Sequence, residues 1–133
     1  MHLKSIGITA SVNSLQEQDK EKLFKRLATT FERQQEHTEV ILKHMNTTKH
    51  PIVLAGDFNN TAFSYVYRKL QQNMNDAFIE KGKALGTTFM FDYYPMRIDY
   101  IFGSKQLEVL EFTSLKQTFS DHFPVAAVFG IPK

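Results

Sequence analysis

The sequence contains no cysteine, which excludes both a disulfide framework and a thiolate metal site. Its four prolines and six glycines are dispersed rather than gathered, so no flexible linker divides the chain. No internal repeat or low-complexity tract is present, which excludes a solenoid. No stretch is apolar for long enough to cross a bilayer, and Met1-His2-Leu3-Lys4 lacks the apolar run of a signal peptide. A GxxxxGK phosphate loop, a GxSxG nucleophile elbow and an HExxH zinc helix are all missing, and with them the chemistry each supports.

What is present describes one globular domain. With 133 residues, the chain 1–133 is long enough for a single core and too short for two. Hydrophobic residues make up 42% and charged residues 23%, the balance of an ordinary folded domain rather than a disordered one. Sixteen basic residues are offset by fourteen acidic ones scattered among them, so an anionic substrate is permitted but no basic face for nucleic acid is displayed.

Periodicity predicts the elements. Leu3 to Val12 mixes Ile6, Ile8 and Val12 with small polar residues and reads as a strand leading to a loop, followed by capping-box spacing at Ser14-Leu15-Gln16-Glu17. From about Asp19 to Thr47, residues Leu23, Leu27, Phe31, Ile41, Leu42 and Met45 recur at helical intervals, predicting a long amphipathic helix over one side of a sheet. Pro51 stops it. Ile52-Val53-Leu54-Ala55 reads as a strand buried on both faces, and Thr61 or Ala62 to about Gln72 as a second helix using Phe63, Val66, Tyr67 and Leu70. Further strands are expected at Thr87 to Phe91, Arg97 to Phe102, Leu107 to Leu115 and Pro124 to Phe129. The class is α/β or α+β.

Three segments set titratable residues directly against these strands: Gly56-Asp57-Phe58-Asn59, Arg97-Ile98-Asp99-Tyr100 and Ser120-Asp121-His122-Phe123-Pro124. Asp57 follows an apolar run at the carboxyl end of a strand, where open α/β sheets place ligand sites. Its plain structural role would be a turn or the N-cap of the second helix. Asp99 alternates onto the face of Ile101, inside a run where a carboxylate is depleted unless paired. An ion pair with Arg97 or a lysine accounts for it as readily as catalysis does. Asp121 and His122 sit at a strand entrance, where a surface turn is the plain reading.

Taken together and in this order, the segments GDFN, RIDY and SDHFP resemble the endonuclease/exonuclease/phosphatase family, whose signatures run GD-hydrophobic-N, R-hydrophobic-DY and SDH-x-P. Thr87-Thr88-Phe89 matches the strand that precedes RIDY in many members. The resemblance implies half of a DNase I-like four-layer sandwich, the C-terminal half: one mixed, mostly antiparallel sheet with helices on its outer face. It implies a metal-dependent phosphoesterase acting on a phosphodiester or phosphomonoester, nucleic acid included, with Mg²⁺ or Mn²⁺ as cofactor. Asp57, Asn59, Asp99, Asp121 and His122 would be catalytic. Within that set Asp57, Asn59 and Asp121 would hold the metal, Asn59 and His122 would contact substrate, and Asp99 would accept from the imidazole.

The family's earlier half carries a metal-binding Glu, which nothing before Pro51 supplies. The family's Asn-x-His strand aligns with Leu3 to Leu15, placing Ile6 and Ile8 where Asn and His are expected. An incomplete sandwich would leave an apolar sheet face in water, for a complementing half or a second copy to cover. The alternative to a hydrolase is a module that keeps the fold and anion binding without turnover. His37, His44 and His50, spaced seven and six apart, read as solvated helix residues. Phe89, Phe91, Tyr93 and Tyr94 read as strand edge and core packing.

Overall fold

The computed structural model describes residues 1–5, 17–116 and 119–132. In chain order it contains α1 (Glu17–Thr47), β1 (Val53–Asp57), α2 (Tyr65–Asn73), β2 (Met74–Asp76), α3 (Ala77–Lys81), β3 (Phe89–Phe91), β4 (Tyr94–Met96), β5 (Asp99–Ser104), β6 (Glu108–Ser114) and β7 (Val125–Gly130). Most of the strand expected at Leu3 to Val12, and the capping box from Ser14, fall outside the described residues. No helix among the described residues is long and apolar enough to cross a membrane.

The expected α+β class with antiparallel strands holds, but the strands divide among three small sheets instead of forming one. These are β1-β5-β2, β3-β4 and β6-β7, all antiparallel. The reason lies in the two faces of β5, whose alternate residues are both buried. Tyr100 and Phe102 meet Leu3, Phe58 and the Val66, Tyr67 and Leu70 stripe of α2. Ile101 turns the other way and packs with Ala77, Val109, Ala127 and Phe129. The β6–β7 hairpin therefore stacks on the ladder rather than extending it. Gly103 permits this approach, since a Cβ there would meet the Phe129 ring at 2.5 Å.

Three expectations need correction. β1 is buried on one face only, because the core cluster lies on one side of it: Ile52 and Leu54 pack on that core while Val53, on the other face, is 50% exposed. The second helix begins at Tyr65, not Thr61, because the Ser64 hydroxyl caps it by accepting from the Tyr67 N–H at 3.1 Å. Phe63, left outside the helix, is exposed. On α1 the buried stripe runs Thr30, Gln34 and Thr38, then Leu42 and Met45, while Phe31 faces solvent. The polar half of that stripe is satisfied. Thr30 and Thr38 donate to Arg26 and Gln34 carbonyls, and Gln34 bridges the Lys4 carbonyl and the Asn60 amide.

Candidate active site

The register of β1 against β5 pairs Asp57 directly with Asp99. Residues opposite each other in an antiparallel ladder project from the same face, so both carboxylates stand together at one end of the sheet. Like charges so placed are destabilising unless something cationic offsets them. His122 does so: its Nδ1 lies 2.8 Å from Asp99 Oδ2. Ligand atoms of Asp57, Asp99 and His122 all fall within 4.8 Å of one another, a span that one phosphate or one metal ion can bridge.

Electrostatics favour the charged form of the imidazole. Burial alone would lower the His122 pKa, but the hydrogen bond to Asp99 and the nearby charges of Asp99, Asp57 and Asp121 outweigh it and raise the pKa above 6.5.

Asn59 sits at φ 48°, a left-handed conformation that Asn tolerates. Its N–H donates to Asp57 Oδ1 at 2.8 Å, and its Nδ2 donates to Asp57 Oδ2 at 2.9 Å and to the Leu3 carbonyl at 2.8 Å. Asn59 thus clamps Asp57 in place. Asp57 forms this Asx turn and is not a helix cap, a task that Ser64 performs. Asp121 is exposed at the rim of the same cleft, taking a hydrogen bond from Ser120 Oγ at 3.1 Å. The grouped residues able to hold a metal therefore share Asp57 with the expected trio and bring in Asp99 and His122, because register sets Asp99 opposite Asp57.

Three side chains escaped the sequence reading. His2 forms a parallel bridge beside Asp57, with Nε2 3.5 Å from Asp57 Oδ2, and lines the cleft. An imidazole thus stands beside Asp57, while Ile6 and Ile8, expected to replace one, lie outside the described residues. A lone His at position 2 carries no periodic signal, although its apolar neighbour Leu3, 1% exposed, anchors it. Thr88, fully buried, accepts at Oγ1 from the N–H groups of Ile98 (3.0 Å) and Asp99 (3.1 Å), and its carbonyl accepts from Phe123 N–H at 2.7 Å. It therefore ties the Asp99 segment to the His122 segment.

Asp76 is the third, and it takes the partner expected for Asp99. Arg97 Nη1 donates to Asp76 Oδ2 at 2.6 Å with both side chains buried, because β2 pairs with β5 and brings Asp76 to Phe102. Arg97 also lies over the rings of Phe78 and Tyr100 at 4.6 and 4.5 Å. Burial would lower the Arg97 pKa, but its bonds to Asp76 raise it.

The cleft beside the carboxylates has a volume of about 510 Å³. Phe89, Phe91, Met96 and Ile98 form its apolar wall, and the Phe89 ring lies 4.9 Å from the His122 ring. Phe89 and Phe91 thus pack in strand β3 and face the cleft, while Tyr93 and Tyr94 project into solvent at the β3–β4 turn, so the expected packing fails for the two tyrosines. His37, His44 and His50 are exposed, as expected.

Comparison with known proteins gives the family. No curated protein matches the chain. Among solved structures, a mannosyl-6-phosphatase from Bacteroides thetaiotaomicron is similar at 25% identity and TM-score 0.64, covering 75% of this chain and 46% of its own. A family protein from Leptotrichia buccalis is 28% identical with TM-score 0.57, covering 71% and 41%. An endonuclease/exonuclease/phosphatase from Bacteroides vulgatus, 24% identical with TM-score 0.65 over 76% and 45%, shares the fold. The chain spans less than half the length of each of these structures. Residues 24–122 match the model of the Endonuclease/Exonuclease/phosphatase family, and with its three motif segments gathered at one sheet end the chain belongs to that family.

Proposed function

We propose that this chain carries the chemistry of a divalent-metal-dependent phosphoesterase that hydrolyses a phosphodiester or phosphomonoester. One observation carries the reading: Asp57, Asp99 and His122, from three separate segments, present ligand atoms within 4.8 Å of one another. In the proposed reaction water attacks phosphorus, the ester P–O bond breaks, and the leaving oxygen takes a proton from solvent to depart as the alcohol. Asp57, held by Asn59, accepts the proton of the attacking water. His122, held by its hydrogen bond with Asp99 and favoured in its charged form, faces the phosphoryl oxygens and offsets the charge that spreads over them. His2 adds a second imidazole at the same edge.

The donor set fits a hard divalent cation, since the two carboxylates supply oxygen ligands while the His122 Nδ1 is committed to Asp99. Asp57 and Asp99, with Asp121 at the rim, would hold Mg²⁺ or Mn²⁺. Such an ion, when bound, neutralises charge on the phosphoryl group.

The test is hydrolysis of p-nitrophenyl phosphate, bis(p-nitrophenyl) phosphate and mannose 6-phosphate, with and without Mg²⁺ or Mn²⁺. The last substrate is chosen for the similarity to a mannosyl-6-phosphatase. Metal-dependent turnover that falls at least about a hundredfold in Asp57→Ala and His122→Ala is expected. Turnover that ignores both substitutions would refute the assignment. A second reading, a module that binds anions without turnover, draws support from the two imidazoles, His2 and His122, that line the cleft. Phosphate binding that depends on His122 in the absence of any hydrolysis would select it.

A further inference from the structure

Basic and acidic residues are intermingled in the sequence, but folding sorts them along one side of α1. Lys4, Lys25, Arg26 and Arg33, with Ser5 and Thr30, line a cavity of about 320 Å³, and none of the described residues lining it is acidic. The wall is built rather than incidental. Gln34 fixes the Lys4 backbone by donating to its carbonyl at 2.7 Å, and Thr30 donates to the Arg26 carbonyl at 2.8 Å. Ser5 also lines the catalytic cleft, so groove and cleft share a wall.

We propose that this groove holds a second phosphate group of the substrate, so that multiply phosphorylated esters are turned over in preference to monophosphates of a neutral alcohol. The inference rests on the phosphoesterase reading. Four like charges around one small cavity repel one another, and an anion among them relieves that repulsion. Two guanidinium groups offer the planar fork that pairs bidentately with phosphate oxygens. A neutral sugar or an apolar leaving group gains nothing from such a wall. Lys25 also pairs with Glu21 at 2.8 Å, but both are exposed and salt weakens that contact. The carboxylates of Asp57 and Asp99 disfavour a highly charged anion, so attraction supplied from the neighbouring groove sets which phosphate enters the cleft.

The experiment is calorimetric titration of the protein with inorganic phosphate and with tripolyphosphate. It compares wild type, Arg26→Gln/Arg33→Gln and the charge-keeping Arg26→Lys/Arg33→Lys. Both substituted side chains are exposed, and circular dichroism checks that the fold is kept. Wild type should bind tripolyphosphate at least tenfold more tightly than phosphate. The glutamine variant should lose that advantage while keeping its affinity for phosphate, and the lysine variant should retain most of it. With an ester bearing two phosphates, the glutamine variant should raise KM about tenfold and leave kcat unchanged. Equal wild-type affinity for the two anions, or an advantage that survives in the glutamine variant, overturns the proposal. Groove-dependent tripolyphosphate binding without turnover of any ester overturns the catalytic reading and upholds the groove as an anion site.

Discussion

Replacing Asp76 with Ala should remove a large part of the stability of this fold. The Asp76 carboxylate is 1% exposed and pairs with Arg97 at 2.6 Å. It also accepts from the Tyr67 hydroxyl at 2.7 Å and caps α3 through the Phe78 N–H at 2.9 Å. Truncating one member of a buried ion pair costs about 3–5 kcal/mol, because the other charge stays buried without compensation. Loss of a helix cap adds about 1 kcal/mol. The aromatic faces around Arg97 remain and return part of this, so a loss of about 4 kcal/mol is expected against a domain stability of about 5–15 kcal/mol. Urea unfolding followed by circular dichroism measures it, alongside the double variant Asp76→Ala/Arg97→Met. The double variant carries no stranded charge and should be more stable than Asp76→Ala alone. The Tyr67 hydroxyl, pushed up to about 12 by burial and then by Asp76, should titrate lower once the carboxylate is gone. A loss under about 1 kcal/mol, or a double variant no better than the single, would refute the reasoning.

Three further outcomes follow from the site. Thr88→Val strands two main-chain donors, Ile98 N–H and Asp99 N–H, and should cost about 2–4 kcal/mol. Thr88→Ser keeps the acceptor and should cost about 1 kcal/mol for the lost methyl, so equal melting of the two variants would rule out the clamp. The raised His122 pKa means that the fold holds this proton more tightly than the unfolded chain does. In metal-free protein its contribution to stability is therefore full below 6.5 and is lost as pH rises through the folded value. Asp99→Asn should lower the His122 pKa in a proton NMR titration and flatten that pH dependence; an unmoved titration would count against the pairing. Gly56→Ala should dislodge the first residues, because Gly56 sits at φ +152° and a Cβ there would meet the Met1 carbonyl oxygen at 1.7 Å. The His2 resonance should then lose its sensitivity to Asp57→Asn.

The motif-bearing ends of the strands were legible because GDFN, RIDY and SDHFP each set a titratable group against an apolar run, and alternation alone placed Asp99 with Ile101. The partner of each charge was not legible. Arg97 is two residues from Asp99 yet pairs with Asp76, twenty-one residues away, because the β2–β5 register brings them together and no local spacing encodes that register. The polar stripe of α1 misled in the same way, since Thr30, Gln34 and Thr38 are buried through hydrogen bonds that hydrophobic periodicity does not see. The basic groove was hidden for a related reason: Lys4 joins Arg26 and Arg33 only when the chain folds back, and counting charges along the sequence averages them away.

Asp57 and Asp99 face each other across one rung of a main-chain ladder. Their gauge is thus fixed by the peptide backbone, the least variable material a protein has. Loops may lengthen, shorten or change composition around that rung without moving the carboxylates apart. Descendants of such a scaffold would be free to exchange the molecules they recognise while inheriting the same pair of oxygens at the same spacing.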